Sequence, residues 1–414
     1  MGDPYIRPSN VAMLFKLETT EDVDAAPVAA DAFPFEEDGY SYNSPYRSEA
    51  SREANGSMVA GAPMVIGQPA QLSIRFRMKG AGPGVTYSAS VKPPHHALLS
   101  AAGKRGLFTA PIAAAALTAG TTTSASLGTG FASTAQAYRG MPLVLSGAGA
   151  PGTGQTPFIT DYSAAKLASL TDLMGTALST LTQAAIPANW TYAGTSPKSS
   201  AARATDHPSG TLYIYEDGTL LKFTGVRFRV SDWGGDSARP GFMTLEGSGT
   251  FRGKTDAAIP SDIVIPGHAA PTLVMGPSGV NLALSVNRRG LPAQNWAIGE
   301  ETEMESPDDP NTPMGFAAAQ LGERSPMLRI NPLATLVAVR NILADIEAGS
   351  IYPAVLRSSG PAGNRWAITK PTLTPVQADP GTRGIHRSED QQYRLLNPGV
   401  DAQGRDGESI LCFY

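Results

Sequence analysis

The sequence predicts a mainly β protein, with a β-sandwich or barrel-like sheet and a flanking α-helix, and three observations support this prediction. Charged residues make up only 16% of the 414 residues, whereas glycine (44) and proline (34) are frequent, as in short strands joined by many turns. Several segments alternate apolar and polar residues with the period of a strand. The order of predicted elements in the first half recurs in the second, so we predict two similar domains, 1–262 and 263–414.

The first half is predicted to contain two strands, a short helix, a hairpin and a further strand. Strand patterns cover Val11–Leu17 and 71–78, and the alternation in 71–78 is strict. The apolar segment 95–102 predicts a helix that closes at Gly103. After the hairpin, a strand is predicted over 242–251.

The clearest local signal in the chain is the hairpin, which is predicted over 211–230. Asp217 and Gly218 supply the positive φ angles that a tight hairpin turn needs. On the returning strand, apolar residues alternate with Arg227 and Arg229. We interpret this arginine pair as the solvated face of the sheet, or else as partners in salt bridges between subunits.

The second half repeats this order after a proline-containing linker, 257–270. Its helix is predicted over 332–348, ending before Gly349. A turn over 358–364 separates two of its strands. The strands of this half are predicted over 280–287, 327–330, 351–356, 365–369 and 409–414.

An insertion over 107–203 interrupts the first half and is rich in alanine, threonine, serine and glycine. We predict one amphipathic helix near 164–185, with Ser163 as its N-cap. Its apolar residues recur at three- and four-residue spacing: Leu167, Leu170, Met174, Ala177, Leu178 and Leu181. The insertion is interpreted as an elaborated surface loop that docks this helix on the sheet.

Composition also limits the classes of function. The net charge of −4 provides no basic field for gripping nucleic acid. A single cysteine, Cys412, excludes an intrachain disulfide, and we expect it to be a small buried side chain. The chain begins without the pattern of a secretory signal and has no apolar stretch long enough for a membrane helix. We therefore expect a soluble, non-secreted protein.

The sequence contains no convincing motif for catalysis, metal binding or cofactor binding. Gly147, Gly149 and Gly152 match a dinucleotide-binding pattern, but prolines interrupt the place where its helix must begin. His95 and His96 would point apart, and the remaining histidines are scattered. The carboxylates of 300–309 lack the spacing of a calcium loop, so we interpret this segment as a solvated loop. We predict no cofactor, metal ion or catalytic residue.

Four stretches resemble the major tail tube proteins of long-tailed (siphophage-type) bacteriophages. They are VAMLFKLETTEDVDAAPVAADAF (11–33), PPHHALLSAAG (93–103), the hairpin region with its exit strand (211–260), and AGNRWAITKPTLTPVQADPGTRGIHRSEDQQYRLL (362–396) together with the ending ESILCFY (408–414). Their order and spacing carry the resemblance. The chain departs from the family pattern at Arg227, Arg229, residues 234–241 and the long insertion.

The resemblance implies a tail tube fold that assembles into rings, which stack into a hollow tube for viral DNA. Duplication within one chain implies homotrimeric, pseudo-hexameric rings, with homohexameric rings as the alternative. The implied partners are further copies of the chain, the tail terminator, tape measure and baseplate proteins, and double-stranded DNA that passes without specific binding. The implied location is the virion tail, assembled in the host cytoplasm without a membrane.

Charged residues on two acidic loops, 18–57 and 300–313, and on alternating strand positions are our candidates for contacts within or between rings. They are Glu18, Asp22, Asp24, Glu300, Glu303, Asp308, Arg75, Arg77, Arg227 and Arg229. Two other hypotheses about function stay open. One is another phage tail structural protein on a related fold, such as a tail terminator, baseplate hub or sheath-associated protein. The other is an enzymatic tail component that degrades carbohydrate.

Overall fold

The structure is a computed structural model that describes the chain except for residues 1–4, 8, 52, 55, 57, 60, 264, 266–269, 271–280 and 313. It is mainly β, as the sequence predicts, with a large antiparallel sheet and few, short helices. Part of the predicted linker and the first residue of the predicted strand 280–287 lie outside the described residues.

The chain up to the insertion forms β1 (Val11–Leu17), a 3₁₀ helix (Ala29–Asp31), β2 (Tyr40–Tyr42), β3 (Tyr46–Glu49), β4 (Met64–Gly67), β5 (Ala70–Arg77) and α1 (His96–Ala101). The next segment forms β6 (Lys104–Thr109), β7 (Ile112–Ala116), β8 (Ala119–Gly120), β9 (Ser124–Ser126), β10 (Val144–Ser146), β11 (Ile159–Tyr162), β12 (Leu167–Leu170), β13 (Gln183–Ile186), β14 (Asn189–Gly194) and α2 (Ser200–Asp206).

The first half then closes with β15 (Gly210–Glu216), β16 (Thr219–Asp236) and β17 (Phe242–Asp256). The second half forms β18 (Leu284–Val286), β19 (Arg289–Gly290), β20 (Ala293–Gly299), β21 (Met304–Glu305), β22 (Gln320–Leu321), β23 (Met327–Pro332), α3 (Ile342–Glu347), β24 (Tyr352–Arg357), β25 (Trp366–Arg383), β26 (His386–Leu395) and β27 (Ile410–Phe413).

The order in which strands pair is the same in both halves. The first half pairs as β1–β15–β16–β17–β5–β2, and we call these strands the N-terminal repeat. The second pairs as β18–β24–β25–β26–β23–β20, and we call these strands the C-terminal repeat. A short helix follows each of the equivalent strands β5 and β23, namely α1 in the first half and α3 in the second. The repetition therefore extends from element order to strand topology.

The two repeats share one sheet and one apolar core. The last residues of β16, 233–236, pair with residues 295–298 of β20. One cluster of buried side chains contains Leu245 of the N-terminal repeat and Trp366 of the C-terminal repeat. The division of the chain at 262/263 stays a prediction, and strand pairing crosses it at the junction between β16 and β20.

Several local predictions are confirmed. The apolar face of β5 is buried, and Gly103 follows α1 with a φ of +70°. The β15–β16 hairpin turns at Asp217 and Gly218, whose φ angles are +39° and +101°. β16 continues to Asp236, which is further than the predicted limit at residue 230.

The predicted helix near 164–185 is wrong. Residues 167–170 form β12, which pairs with β9 and β11, and residues 183–186 form β13. The leucine spacing also suits a strand followed by loops: Ala168 and Leu170 are buried, whereas Leu181 is 70% exposed. Ser163 caps a turn, because its Oγ accepts from the N–H of Leu167 at 3.2 Å. Threonine, serine and glycine favour this outcome since they have low helix propensity.

The insertion is a small β structure with its own core. β6 and β14 pair at its base, and β14 also pairs with β27, so the base extends the main sheet. Beyond this base, two small sheets enclose a separate apolar cluster that runs from Leu117 to Ile186.

Two elements of the second half are shorter than the sequence predicts. The helix predicted over 332–348 is confined to Ile342–Glu347, where Asn341 accepts from the N–H of Ala344 at 3.2 Å. Preceding apolar residues such as Leu336, which is 79% exposed, do not pack as a helix face. The strand predicted over 280–287 is Leu284–Val286.

Candidate assembly interface

The junction between the repeats is the clearest interaction surface that the fold builds. The tip of β16 pairs with β20, and this pairing buries Trp233, Gly234 and Gly235. A Cβ added to Gly235 would lie 3.1 Å from the indole nitrogen of Trp296, so glycine permits the close approach. Trp296 packs near Trp366, with ring centroids 6.2 Å apart. Backbone pairing and the contact between the Trp296 indole and Gly235 together join one repeat to the other.

The arginines predicted on β5 lie on the half-exposed face of the sheet. The Nε atom of Arg75 is 2.9 Å from Glu36, and Arg77 pairs with the same carboxylate. The guanidinium of Arg75 also stacks on Phe242 at 3.9 Å from the ring centroid. Both arginines are therefore engaged within the chain, and a role between subunits stays a prediction.

The arginines predicted on β16 have different environments. The solvated-face interpretation is wrong for Arg227, which is 2% exposed and donates to the carbonyls of His207 and Ala319 at 2.7 and 2.6 Å. Arg229 is half-exposed and pairs with Glu246 at 2.7 Å. The sequence spacing places both arginines on one face, but neighbouring loops cover only Arg227.

The acidic candidates near residue 20 are held against the β15–β16 hairpin. Glu18 accepts hydrogen bonds from Ser209 at 2.6 Å and from the N–H of Gly225 at 2.8 Å. Asp22 pairs with Arg252 at 2.7 Å. Burial raises the pKa of Asp24, but its hydrogen bonds, led by the one from the Tyr213 hydroxyl, outweigh burial and lower this pKa overall.

Part of the predicted long loop 18–57 therefore packs against the sheet, and the segment also contains the 3₁₀ helix, β2 and β3. Its carboxylates at Glu18, Asp22 and Asp24 already have partners within the chain. Whether they also contact another subunit stays a prediction.

The acidic candidates of the second half are divided between core and surface. The solvated-loop interpretation is wrong for Glu300, which is 2% exposed and pairs with Lys104 at 2.7 Å. Glu303 and Asp308 are exposed, as predicted. Glu303 directly precedes β21, which pairs with β22, and Asp308 forms an isolated bridge with Phe316.

Buried ionic groups also tie the two halves together. The Lys104–Glu300 pair joins β6 of the first half to the end of β20 in the second, and the Arg324 guanidinium donates to the carbonyl of Thr195 in the first half at 2.8 Å. Burial lowers the pKa of nearby Lys370 to about 7, although Glu300 opposes the shift. Breaking such buried pairs leaves an uncompensated charge, so they fix how the halves meet.

The sequence motifs considered above as metal, dinucleotide or thiol sites lie in loops, in turns or in the core of the protein. Within the described residues, no group of three or more histidine, cysteine, aspartate or glutamate side chains could hold a metal ion. Gly147, Gly149 and Gly152 lie in turns inside the insertion, and the next element after them is β11 rather than a helix. Cys412 is buried as predicted, and burial raises the pKa of its thiol.

A scan against protein-family models finds no family that matches this chain, and a search of curated proteins finds no relative. In the part of the chain that the structure describes, no helix is long and apolar enough to cross a membrane. Function must therefore be inferred from the geometry of the fold.

Proposed function

We propose that this chain is the structural subunit of a bacteriophage tail tube. Its rings stack into a hollow tube that conducts viral DNA to the host during ejection. The subunit acts through self-association rather than catalysis and needs no cofactor. Its other partners are the tail terminator, tape measure and baseplate proteins, and it resides in the virion tail after assembly in the host cytoplasm.

The observation that carries this proposal is the duplicated sheet with a head-to-tail junction. β20 at one end of the C-terminal repeat pairs with β16 of the N-terminal repeat, so two different surfaces meet. A contact of this heterologous kind generates a ring when its rotation closes. Two repeats in each chain favour three chains in a ring of six similar units, with six chains as the alternative.

The exposed surface supports further association between rings. Leu336, Val337, Val339 and Leu343 lie within eight residues of one another and are 79%, 71%, 56% and 65% exposed. Several large apolar side chains exposed together mark interaction sites in soluble proteins. The net charge of −4 also suits a conduit that DNA passes without binding.

Negative-stain electron microscopy of the purified chain, over a series of rising concentrations, tests the proposal. We expect hollow tubes, or rings whose end-on averages have threefold or sixfold character. Threefold averages with two lobes for each chain would support the trimeric ring. Mass measurement in solution provides an independent count of chains in the smallest ring.

Other outcomes would contradict the proposal. Single rings that never stack would favour a tail terminator or baseplate hub. A chain that stays monomeric at every concentration, even with preformed tail-tip complexes added as nuclei, would exclude a tube subunit.

A further inference from the structure

β2 and β20 occupy equivalent places in the two repeats. Ile74 of β5 pairs with Tyr40 on one side and Leu245 on the other. Ile330 of β23 pairs with Trp296 on one side and Gln391 on the other. Both outer strands run antiparallel to their neighbours. Tyr40 of β2 therefore corresponds to Trp296 of β20.

The surface that receives β20 on β16 also has an equivalent, at the tip of β25. β15 covers one edge of β16, and β20 pairs further along toward the tip. On β25, β24 covers residues 367–373, but no strand of the described chain covers the same edge over 376–383. Register across the hairpins aligns Asp232-Trp233-Gly234 with Asp379-Pro380-Gly381.

The edge of β16 that pairs with β20 is buried, whereas the equivalent edge of β25 is exposed, as expected for a site that no strand fills. Trp233 is 2% exposed beneath β20. In the C-terminal repeat, Val376 is 43% exposed, and Pro380 and Thr382 are exposed. β2 likewise pairs only with β5 in the described chain, and Tyr42 is 36% exposed.

The peptide groups of β2 face outward at alternate residues. The N–H of Arg75 donates to the carbonyl of Gly39 at 2.6 Å, and the N–H of Asn43 donates to that of Gln71 at 3.1 Å. Antiparallel pairing alternates direction from residue to residue, so the peptide groups of Tyr40 and Tyr42 point away from β5.

The peptide groups of β25 offer the matching pattern. The N–H of Ala334 donates to the carbonyl of Arg387 at 2.9 Å, which turns the backbone of Arg387 away from its cross-strand partner Thr382. Thr382 therefore directs its own N–H and C=O to the open edge, and Pro380 directs its C=O there. Pro380 has no N–H, which limits how far a strand can extend along this edge.

From this equivalence we infer that β2 of one copy adds to the open edge of β25 in a second copy. Tyr40 lies opposite Thr382 and Tyr42 opposite Pro380, in the register that Trp296 and Ile298 adopt on Gly235 and Trp233. Tyr40 and Thr382 exchange two hydrogen bonds, and the N–H of Tyr42 donates to Pro380. The inference rests on the proposed function in taking a second copy as the partner.

Charge at the two edges is complementary. Exposed Glu37 and Asp38 precede β2 and are separated from it by Gly39. In the inferred register they lie beside the β25–β26 turn, which is flanked by the exposed Arg387 and by Arg383, whose guanidinium also donates to the carbonyl of Pro292 at 3.0 Å. Opposite charges across a strand pair favour one register and penalise wrong pairings.

Thr382→Pro tests the backbone pairing, with Thr382→Val as the matched control. Proline removes an N–H that faces the open edge, so pairing with β26 is retained and the circular dichroism of the monomer should not change. We expect the concentration needed for assembly to rise about tenfold or more for Thr382→Pro and to change little for Thr382→Val. Assembly of Thr382→Pro at the unaltered concentration would overturn the inference.

A cross-link tests the register. Ser41 and Gly381 would form a non-hydrogen-bonded pair with Cα atoms about 4.5 Å apart, which suits a disulfide. A Cβ at residue 381 would lie 2.6 Å from the Ser388 hydroxyl, so the second chain carries Gly381→Cys together with Ser388→Ala. Mixing Ser41→Cys chains with these chains under oxidation should give a dimer, and Ser41→Cys with Gln377→Cys should not. The native Cys412 is buried and does not compete.

The outcomes separate this inference from the proposed function. Tubes without the Ser41–Gly381 cross-link would overturn the inferred edge and leave the tube proposal standing. The cross-link in open chains or in rings that never stack would support the edge and contradict the tube. Absence of the cross-link at every concentration would also overturn the inference.

Discussion

Protonation of His95 should destabilise this fold as the pH falls from 6.5 to 5. The imidazole is 1% exposed, stacks on Phe76 at a centroid distance of 3.8 Å and places Nε2 2.8 Å from the carbonyl of Pro34. Burial lowers the pKa of His95 to about 3, and the charge of Lys79 acts in the same direction. The hydrogen bond to Pro34 opposes the shift but does not cancel it.

The sign and size follow from proton linkage. The unfolded chain binds a proton at this histidine near pH 6.5, whereas the folded chain binds it only near pH 3. Below pH 6.5 the unfolded state therefore holds more protons, and the free energy of unfolding falls with pH. His95 alone should remove about 2 kcal/mol between pH 7 and pH 5.

Urea unfolding followed by tryptophan fluorescence, below the assembly concentration, measures this effect. His95→Gln keeps an N–H donor for the Pro34 carbonyl but does not titrate. We expect its loss of stability between pH 7 and pH 5 to be about 2 kcal/mol smaller than that of the wild type. His386→Gln, at an exposed histidine, is the control and should behave as the wild type. An equal loss in His95→Gln and the wild type would refute the reasoning.

Three further predictions concern stability. Arg357 is 1% exposed and binds both carboxylate oxygens of Asp172 at 2.8 and 2.7 Å, so Arg357→Met should lower the unfolding free energy in urea by about 3–5 kcal/mol. Adding Asp172→Leu should recover most of this loss, and a single-variant loss below about 1 kcal/mol would contradict the prediction. Gly218→Val forces a β-branched residue into a φ of +101° and should block the β15–β16 turn, with a much lower melting temperature. Gly299→Val is its control because a Cβ there meets open space, and equal melting temperatures would count against the turn. Because burial lowers the pKa of Lys370 from 10.5 to about 7, the unfolded state holds more protons above pH 7 and stability should rise toward pH 9. Lys370→Met should lack this rise in urea melts, and a rise equal to the wild type's would exclude Lys370 as its source.

The sequence predicts best where the cause of structure is local. The alternation in 71–78, the turn at Asp217 and Gly218, and the helix end at Gly103 each depend on residues within a few positions. The β25–β26 hairpin was missed beyond residue 369 because prolines at 371, 375 and 380 weaken its strand pattern. At Pro380 the backbone nitrogen faces an edge that no described strand covers, so no ladder bond is lost.

Which charged side chains are buried depends on distant segments that pack over them, so sequence patterns could not predict it. Arg227 and Arg229 have the same spacing, yet the carbonyls of His207 and Ala319 enclose only Arg227. Glu300 belongs to an acidic run, but Lys104 draws it into the core. The open edges were missed for the same reason, since the three residues of β2 become a distinct strand only beside β5.

Duplication in one chain makes the two kinds of junction unequal. The β16–β20 junction is intramolecular, so it forms at the high effective concentration set by the linker and buries Trp296 and Ile298. The inferred junction uses only three residues of β2, and Pro380 removes one donor from it. Half of the junctions in the proposed ring would therefore form on folding, and the other half would depend on the concentration of subunits. In the proposed tube, such a subunit would stay dispersed until a nucleus presented several edges at once, so the weaker junction would control tube growth.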